Sequence, residues 1–242
     1  MSVRQHIPNA ITSLNLLCGV LGVVFALQGR ADAAFVLMLA AGVFDFCDGF
    51  AARLLKAYSP MGAELDSLAD MVSFGVLPSV MLHAQMRASG AALILSLIPL
   101  LLAVFSGIRL AKFNVDDRQH SSFLGLPTPS SAMICGSLAA YCFYRPGSAL
   151  ASLCALPWFL PLLTAVLCVL LVCEMPMFAF KATEGMDEPG RLALKMKQTT
   201  LFCISAIVVI MAFVLRWNWT AVPLGVFLTY VLENAILALF RI

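Results

Sequence analysis

Long uncharged apolar runs decide what this chain can fold into. No Asp, Glu, Lys or Arg occurs within residues 88–108, 119–144, 146–173 or 198–215. Each run is near or above the roughly 18–20 residues that an α-helix needs to cross a bilayer. In hydrocarbon every backbone N–H and C=O must be satisfied inside the protein, so only helices or a closed barrel can span. Strand-like alternation is absent, which leaves helices. Composition agrees: 62% hydrophobic, 12% charged and a mean hydropathy of +0.96 exclude an ordinary soluble domain. The sequence therefore predicts an all-α integral membrane protein, a polytopic helical bundle. Eight spans are expected, at about 9–27, 33–56, 66–86, 90–110, 127–144, 150–173, 199–215 and 219–240.

With eight spans and an inside N-terminus, the inner segments hold Arg4, Arg53, Lys56, Arg109, Lys112, Arg118, Lys181, Arg191, Lys195, Lys197 and Arg241, and the outer loops only Arg30, Arg87, Arg145 and Arg216. This asymmetry predicts cytoplasmic termini and a site that opens to the cytoplasm. No cleavable signal is evident, since the first apolar run follows Pro8 without a small-x-small cleavage pattern. The eight cysteines form no CxxC pair and read as free thiols inside spans. His6, His83 and His120 lack ligand spacing and read as interfacial side chains.

Against this background four aspartates stand out, in the pattern Asp45-x2-Asp48-Gly49-x2-Ala52-Arg53-x8-Gly62-x3-Asp66-x3-Asp70. An acid inside a membrane segment is costly and usually functional. At about 100° per residue, Asp45, Asp48, Gly49 and Ala52 share one face of the second span. Asp66 and Asp70 stack on one face of the third, with Gly62 one turn before them. The turn Ala57-Tyr58-Ser59-Pro60-Met61-Gly62 should make these spans antiparallel neighbours, so that the acids meet. Facing carboxylates repel unless cations lie between them, and oxygen donors suit the hard ions Mg²⁺ or Mn²⁺. Two such ions fit in-line displacement at phosphorus. A spare carboxylate can accept the proton of an attacking hydroxyl. Gly49 and Ala52 are small enough for a phosphate compound to approach the backbone. Arg53 is placed to clamp a phosphate with its planar fork. Glu174 and Glu233, each alone near a span end, read as solvated acids without a role. The different class that the acids leave open is a cation- or proton-coupled transporter.

At every position this pattern matches the signature of the CDP-alcohol phosphotransferase family, which the chain resembles over roughly residues 1–175. The resemblance implies a six-helix catalytic core, with two additional C-terminal transmembrane helices like those of some branches. Three further tracts resemble the branch that uses L-serine: Ile7-Pro8-Asn9-Ala10-Ile11-Thr12 with Asn15-Leu16, Arg109-Leu110-Ala111-Lys112-Phe113-Asn114, and Phe123-Leu124-Gly125-Leu126-Pro127-Thr128-Pro129. Lys112 departs from the Arg commoner there, which keeps the charge but loses bidentate geometry.

The resemblance further implies two divalent cations. Asp45 and Asp66 would bridge both and Asp48 would ligate the first, while Asp70 would touch the second and serve as proton acceptor. Pro8, Asn9, Ala10, Ile11, Gly49, Ala52, Arg53, Ser59 and Gly62 would hold CDP-diacylglycerol. Arg109, Lys112 and Asn114 are candidates for binding L-serine. The activity implied is transfer of a phosphatidyl group from CDP-diacylglycerol to L-serine with release of CMP. A sister enzyme acting on glycerol 3-phosphate, inositol phosphate or choline is the nearest alternative. The expected organisation is a core over 1–175, a cytoplasmic linker over 176–198 and two more spans over 199–242. The expected setting is a bacterial-type inner membrane, as a homodimer, with no nucleic-acid partner.

Overall fold

The computed structural model describes residues 3–116, 123–177 and 188–240. Asp117, Arg118, His120, Lys181 and Arg241 lie outside the described residues, as does the first part of the polar stretch ending at Lys197. The chain begins with α1 (Val3–Leu27) and α2 (Ala31–Leu54). A continuous rod follows, made of α3 (Pro60–Asp70), a π-helical segment (Met71–Val76) and α4 (Leu77–Ala88). Next come α5 (Leu93–Ser96), a 3-10 turn (Ile98–Leu100) and α6 (Leu101–Val115), then α7 (Thr128–Tyr144), α8 (Ala149–Cys154) and α9 (Phe159–Val172). The chain closes with α10 (Glu188–Val214) and α11 (Ala221–Phe240). This is the expected all-α polytopic architecture of a multi-pass membrane protein.

Among the described residues six helical runs are long and apolar enough to cross a membrane. The other two expected spans are shorter helices, α7 with 17 residues and α9 with 14. Expected as one span over 150–173, the region is split into α8 and α9 around Pro157, which has no N–H to continue a helix and disfavours helical backbone before it. The first span also differs from expectation. Pro8 is not at a helix start but inside α1, where its carbonyl accepts a bond from Thr12 Oγ1 at 3.0 Å. Because α10 begins at Glu188, the second half of the expected linker is helical.

Outward faces carry large apolar side chains, among them Phe46 (69% exposed) and Phe213 (85% exposed), as a lipid-facing surface should. Inside, Phe35, Met38, Phe74, Leu77, Met81, Leu82, Leu102, Ile134 and Leu160 form the core. Small residues let helices approach closely. A Cβ on Gly19 of α1 would collide with Ser73 of the π segment, and one on Gly22 would meet Leu77 at 2.6 Å. Gly125 has a left-handed φ of +77°, and a Cβ there would press on the Cys173 carbonyl at 2.7 Å. Its N–H donates to the Met175 carbonyl at 2.9 Å, beside a two-residue antiparallel pairing of Phe123–Leu124 with Pro176–Met177. The Gly125-Leu126-Pro127 tract thus ties the start of α7 to the end of α9.

The α10–α11 pair docks mainly through α11 on α7. In the loop between them, Trp219 stacks on Phe35 of α2 with centroids 5.6 Å apart, and the Arg216 carbonyl accepts from Arg145 Nη2 at 3.2 Å. The described cysteines are free, with Cys135, Cys142, Cys154 and Cys168 buried and Cys203 exposed. His83 Nδ1 is engaged by the Ser96 carbonyl at 2.7 Å, a backbone partner rather than a ligand set.

Candidate active site

The turn between α2 and α3 shapes the site. Lys56 takes a left-handed φ of 49°, and Ser59 caps α3 by accepting from the Gly62 N–H at 3.0 Å, with Pro60 at the first helical position. The two helices run back past each other yet scarcely touch; α1 packs along both and joins them. Expected as antiparallel neighbours whose acids meet, they form the walls of a cleft of about 210 Å³. Asp48, Gly49 and Ala52 line one wall and Ser59, Gly62, Ala63 and Asp66 the other. Pro8, Asn9 and Thr12 of α1 complete it, with Ala57 and Tyr58 from the turn. Gly49 has open space where a Cβ would be, whereas a Cβ on Gly62 would stand 3.0 Å from Asn9 Oδ1 and from Ser59 Oγ. Ala10, Ile11 and Arg53 are not among the lining residues, and Ala10 and Arg53 are exposed.

Carboxylate oxygens of Asp45, Asp48 and Asp66 lie within 4.8 Å of one another. Asp48 is buried, and its Oδ2 has no hydrogen-bond partner; Asp66 Oδ1 is likewise buried and unpaired. Three acids at this spacing, with orphaned oxygens turned inward, are an unfavourable arrangement by themselves. A hard cation relieves both the repulsion and the missing partners, so the cluster fits a divalent metal. Asp70, one turn after Asp66, stands outside this group of three. Asn15 of α1, fully buried, donates to Asp70 Oδ1 from Nδ2 at 3.3 Å. Asn15 is held in turn through its backbone carbonyl, which accepts from Ser73 Oγ at 3.1 Å. A π segment follows Asp70 directly, and such departures from α geometry are frequent at functional sites.

The three residues expected at an acceptor site go to different places. Arg109 is buried on α6, with its guanidinium 5.1 Å from the Phe113 ring centroid and within electrostatic range of Asp70. Lys112 pairs with Glu174 at 3.6 Å. Asn114 donates to Ser67 Oγ at 2.9 Å, next to Asp66. Glu174 is exposed at a helix end, as expected, and meets Lys112 there. Glu233 departs from the solvated state expected of it, because its Oε2 is buried.

Thr12 and Asn15 belong to the site although no period marks them as site residues; with Asn9 they recur every third residue of α1, a spacing that puts neighbours of the series on one face.

The family model for CDP-alcohol phosphatidyltransferase matches residues 5–172. A Mycobacterium tuberculosis protein named CDP-diacylglycerol–serine O-phosphatidyltransferase is 34% identical over 221 residues, covering 88% of this chain and 73% of that protein. A Bacillus subtilis protein of the same name is 41% identical over 134 residues, 53% of this chain and 72% of the relative. An archaetidylserine synthase of Methanothermobacter thermautotrophicus is 33% identical over 145 residues, 59% of this chain and 61% of the relative.

Proposed function

The chain belongs to the CDP-alcohol phosphatidyltransferase family, and on that footing we propose that it makes phosphatidylserine and CMP from CDP-diacylglycerol and L-serine. The observation that carries the reading is the group of three carboxylates with orphaned oxygens, set in a cleft walled by Gly49, Ala52 and Gly62. Asp45, Asp48 and Asp66 hold the divalent cations, Mg²⁺ or Mn²⁺, and Asp70 completes the set. Bound there, two such ions supply charge neutralisation on the phosphates and on the departing CMP. The chain's own residues do the rest. Pro8, Asn9, Ser59 and the small residues admit the CDP headgroup, with Ala10 and Ile11 beside them on α1, and Arg53 pairs with a phosphate at the mouth. Asp70 takes the hydroxyl proton of serine; the serine oxygen forms a bond to the phosphorus bearing diacylglycerol as the bond to CMP breaks.

Arg109 pairs the serine carboxylate. Its burial near Asp70 supports this role, while the ion pair to Glu174 assigns Lys112 to anchoring the end of α6. Arg109→Gln should raise the KM for serine by about tenfold or more, the loss of one charge-assisted bond, and leave the KM for CDP-diacylglycerol within about twofold. Lys112→Gln should leave both within about twofold. Steady-state kinetics in micelles read both variants. A serine effect confined to Lys112→Gln would reverse the assignment.

The reaction faces the cytoplasm of a bacterial-type inner membrane, and both termini lie on that side. The charge asymmetry supports this: Arg53, Lys56, Arg109 and Lys112 lie at or near one end of their helices, and Arg30, Arg87, Arg145 and Arg216 in the opposite turns. Residues 1–175 are the catalytic core, carried in a homodimer. The deciding experiment supplies detergent-solubilised protein with CDP-diacylglycerol and a panel of labelled alcohols. CMP should appear with L-serine and not with glycerol 3-phosphate, inositol phosphate or choline. CMP with another acceptor would make the chain a sister enzyme. No CMP in micelles, with gradient-driven uptake into sealed vesicles, would make it a transporter.

A further inference from the structure

Asn15 is a buried amide that stability does not explain. It lies on α1 with no exposed surface, and among the described residues its side chain makes one hydrogen bond, from Nδ2 to Asp70 Oδ1 at 3.3 Å. Its own Oδ1 is buried without a partner. One bond offsets little of the cost of burying both ends of an amide, so an apolar side chain would serve packing better. The amide faces as an ionised Asp70 demands, since turning it over would set oxygen against oxygen.

A second bond fixes the first. Ser73 Oγ, in the π segment three residues after Asp70, donates to the Asn15 backbone carbonyl at 3.1 Å. Residue 15 therefore grips the rod at two points, one at the carboxylate and one just beyond it. The helices come this close because Gly19, one turn on in α1, has no Cβ to strike Ser73. The same helix carries Pro8, Asn9 and Thr12 into the cleft beside Asp48 and Asp66. Asn15 thus links the wall assigned to the CDP headgroup with the acid assigned to the proton.

We infer that Asn15 is a positioning residue that holds the Asp70 carboxylate in register with the donor site on α1. The inference rests on the proposed role of Asp70 as proton acceptor. A carboxylate turns broadly about its last torsion, and a bond to one oxygen fixes where the other faces. Proton transfer needs the carboxylate within hydrogen-bond reach of a hydroxyl that is itself in line with phosphorus. A small misplacement should therefore lower the rate more than the binding.

Asn15→Leu keeps most of the bulk of the side chain and removes the donor. The expected result is a kcat lowered about tenfold, with both KM values within about twofold. The rise in melting temperature that Mg²⁺ or Mn²⁺ gives should remain, because the three clustered acids are untouched. In an Asp70→Asn background Asn15→Leu should add nothing, since the two act as one unit; a packing residue would add its own loss there. If the Asn15→Leu protein does not fold, Ser73→Ala decides in its place. That change frees the Asn15 carbonyl without a large cavity and should lower kcat about threefold. A normal kcat in the deciding variant, with turnover lost in Asp70→Asn, overturns the inference and leaves the base reading standing. Loss of the metal-dependent rise, or a further fall in the Asp70→Asn background, would give Asn15 another role and overturn it too. Near-normal turnover of Asp70→Asn removes the base reading, and this inference with it.

Discussion

Asp45→Ala and Asp66→Ala each abolish CMP release, and thorough chelation does the same to the unaltered protein until Mg²⁺ or Mn²⁺ is returned. The expectation follows from geometry rather than from the count of acids. Asp45, Asp48 and Asp66 each bring an oxygen within 4.8 Å of the others, and Asp48 and Asp66 each carry a buried oxygen without a hydrogen-bond partner. Removing one carboxylate takes away a ligand, yet it also relieves repulsion, so the variants should stay folded. A second readout separates loss of metal from loss of fold. A ligand that binds only the folded state stabilises it by about 2.7 kcal/mol at a hundredfold excess over its Kd. The unaltered protein should therefore melt several degrees higher with Mg²⁺ or Mn²⁺ than in chelator, and the two alanine variants should show no such difference. Full activity after chelation would remove the metal-site reading, whatever the variants do.

The parts of this site that the sequence displayed are those that obey a local period. Asp45, Asp48, Gly49 and Ala52 recur at helical spacing, and three of them, Asp48, Gly49 and Ala52, form the wall that this face presents. The apolar runs likewise announced helices. What the sequence hid is what depends on distant partners. The bond from Asn15 to Asp70 joins residues 55 apart, and nothing near Asn15 names its acceptor. The pairing of Lys112 with Glu174 arises because α9 packs against α6, a tertiary event with no local mark. Met71–Val76 carries no π-helical signature, and the segment's anchors are the Ser73 bond to Asn15 and the close fit of Gly75 against Ser106. The short turn at Ser59 indicated antiparallel neighbours, but it could not reveal that a cleft lies between them, with α1 as the helix that packs on both. Pro157 is a helix breaker visible in the sequence, set within the apolar run 146–173 whose length alone indicates a single span.

Asp70→Asn lowers turnover by about a hundredfold or more, the range for loss of a general base, while CDP-diacylglycerol binding persists. The substitution suits the question because the amide keeps the shape of the carboxylate. Its oxygen can still accept from Asn15 Nδ2, so the junction between α3 and the π segment keeps its polar contact. The amide cannot take up a proton at neutral pH, so the defect should lie in kcat with little change in either KM. Asp70 is not one of the three mutually close carboxylates, although it meets Asp45, so its ligand and base roles need separate readouts. If it acts chiefly as proton acceptor, the Asp70→Asn protein retains the rise in melting temperature with Mg²⁺ or Mn²⁺ that Asp45→Ala and Asp66→Ala lose. If that rise disappears together with turnover, Asp70 is needed first as a ligand, and the proton must go elsewhere. Near-normal turnover would take the base from Asp70 altogether and pass it to the clustered acids, of which Asp48 and Asp66 each have a buried oxygen without a partner.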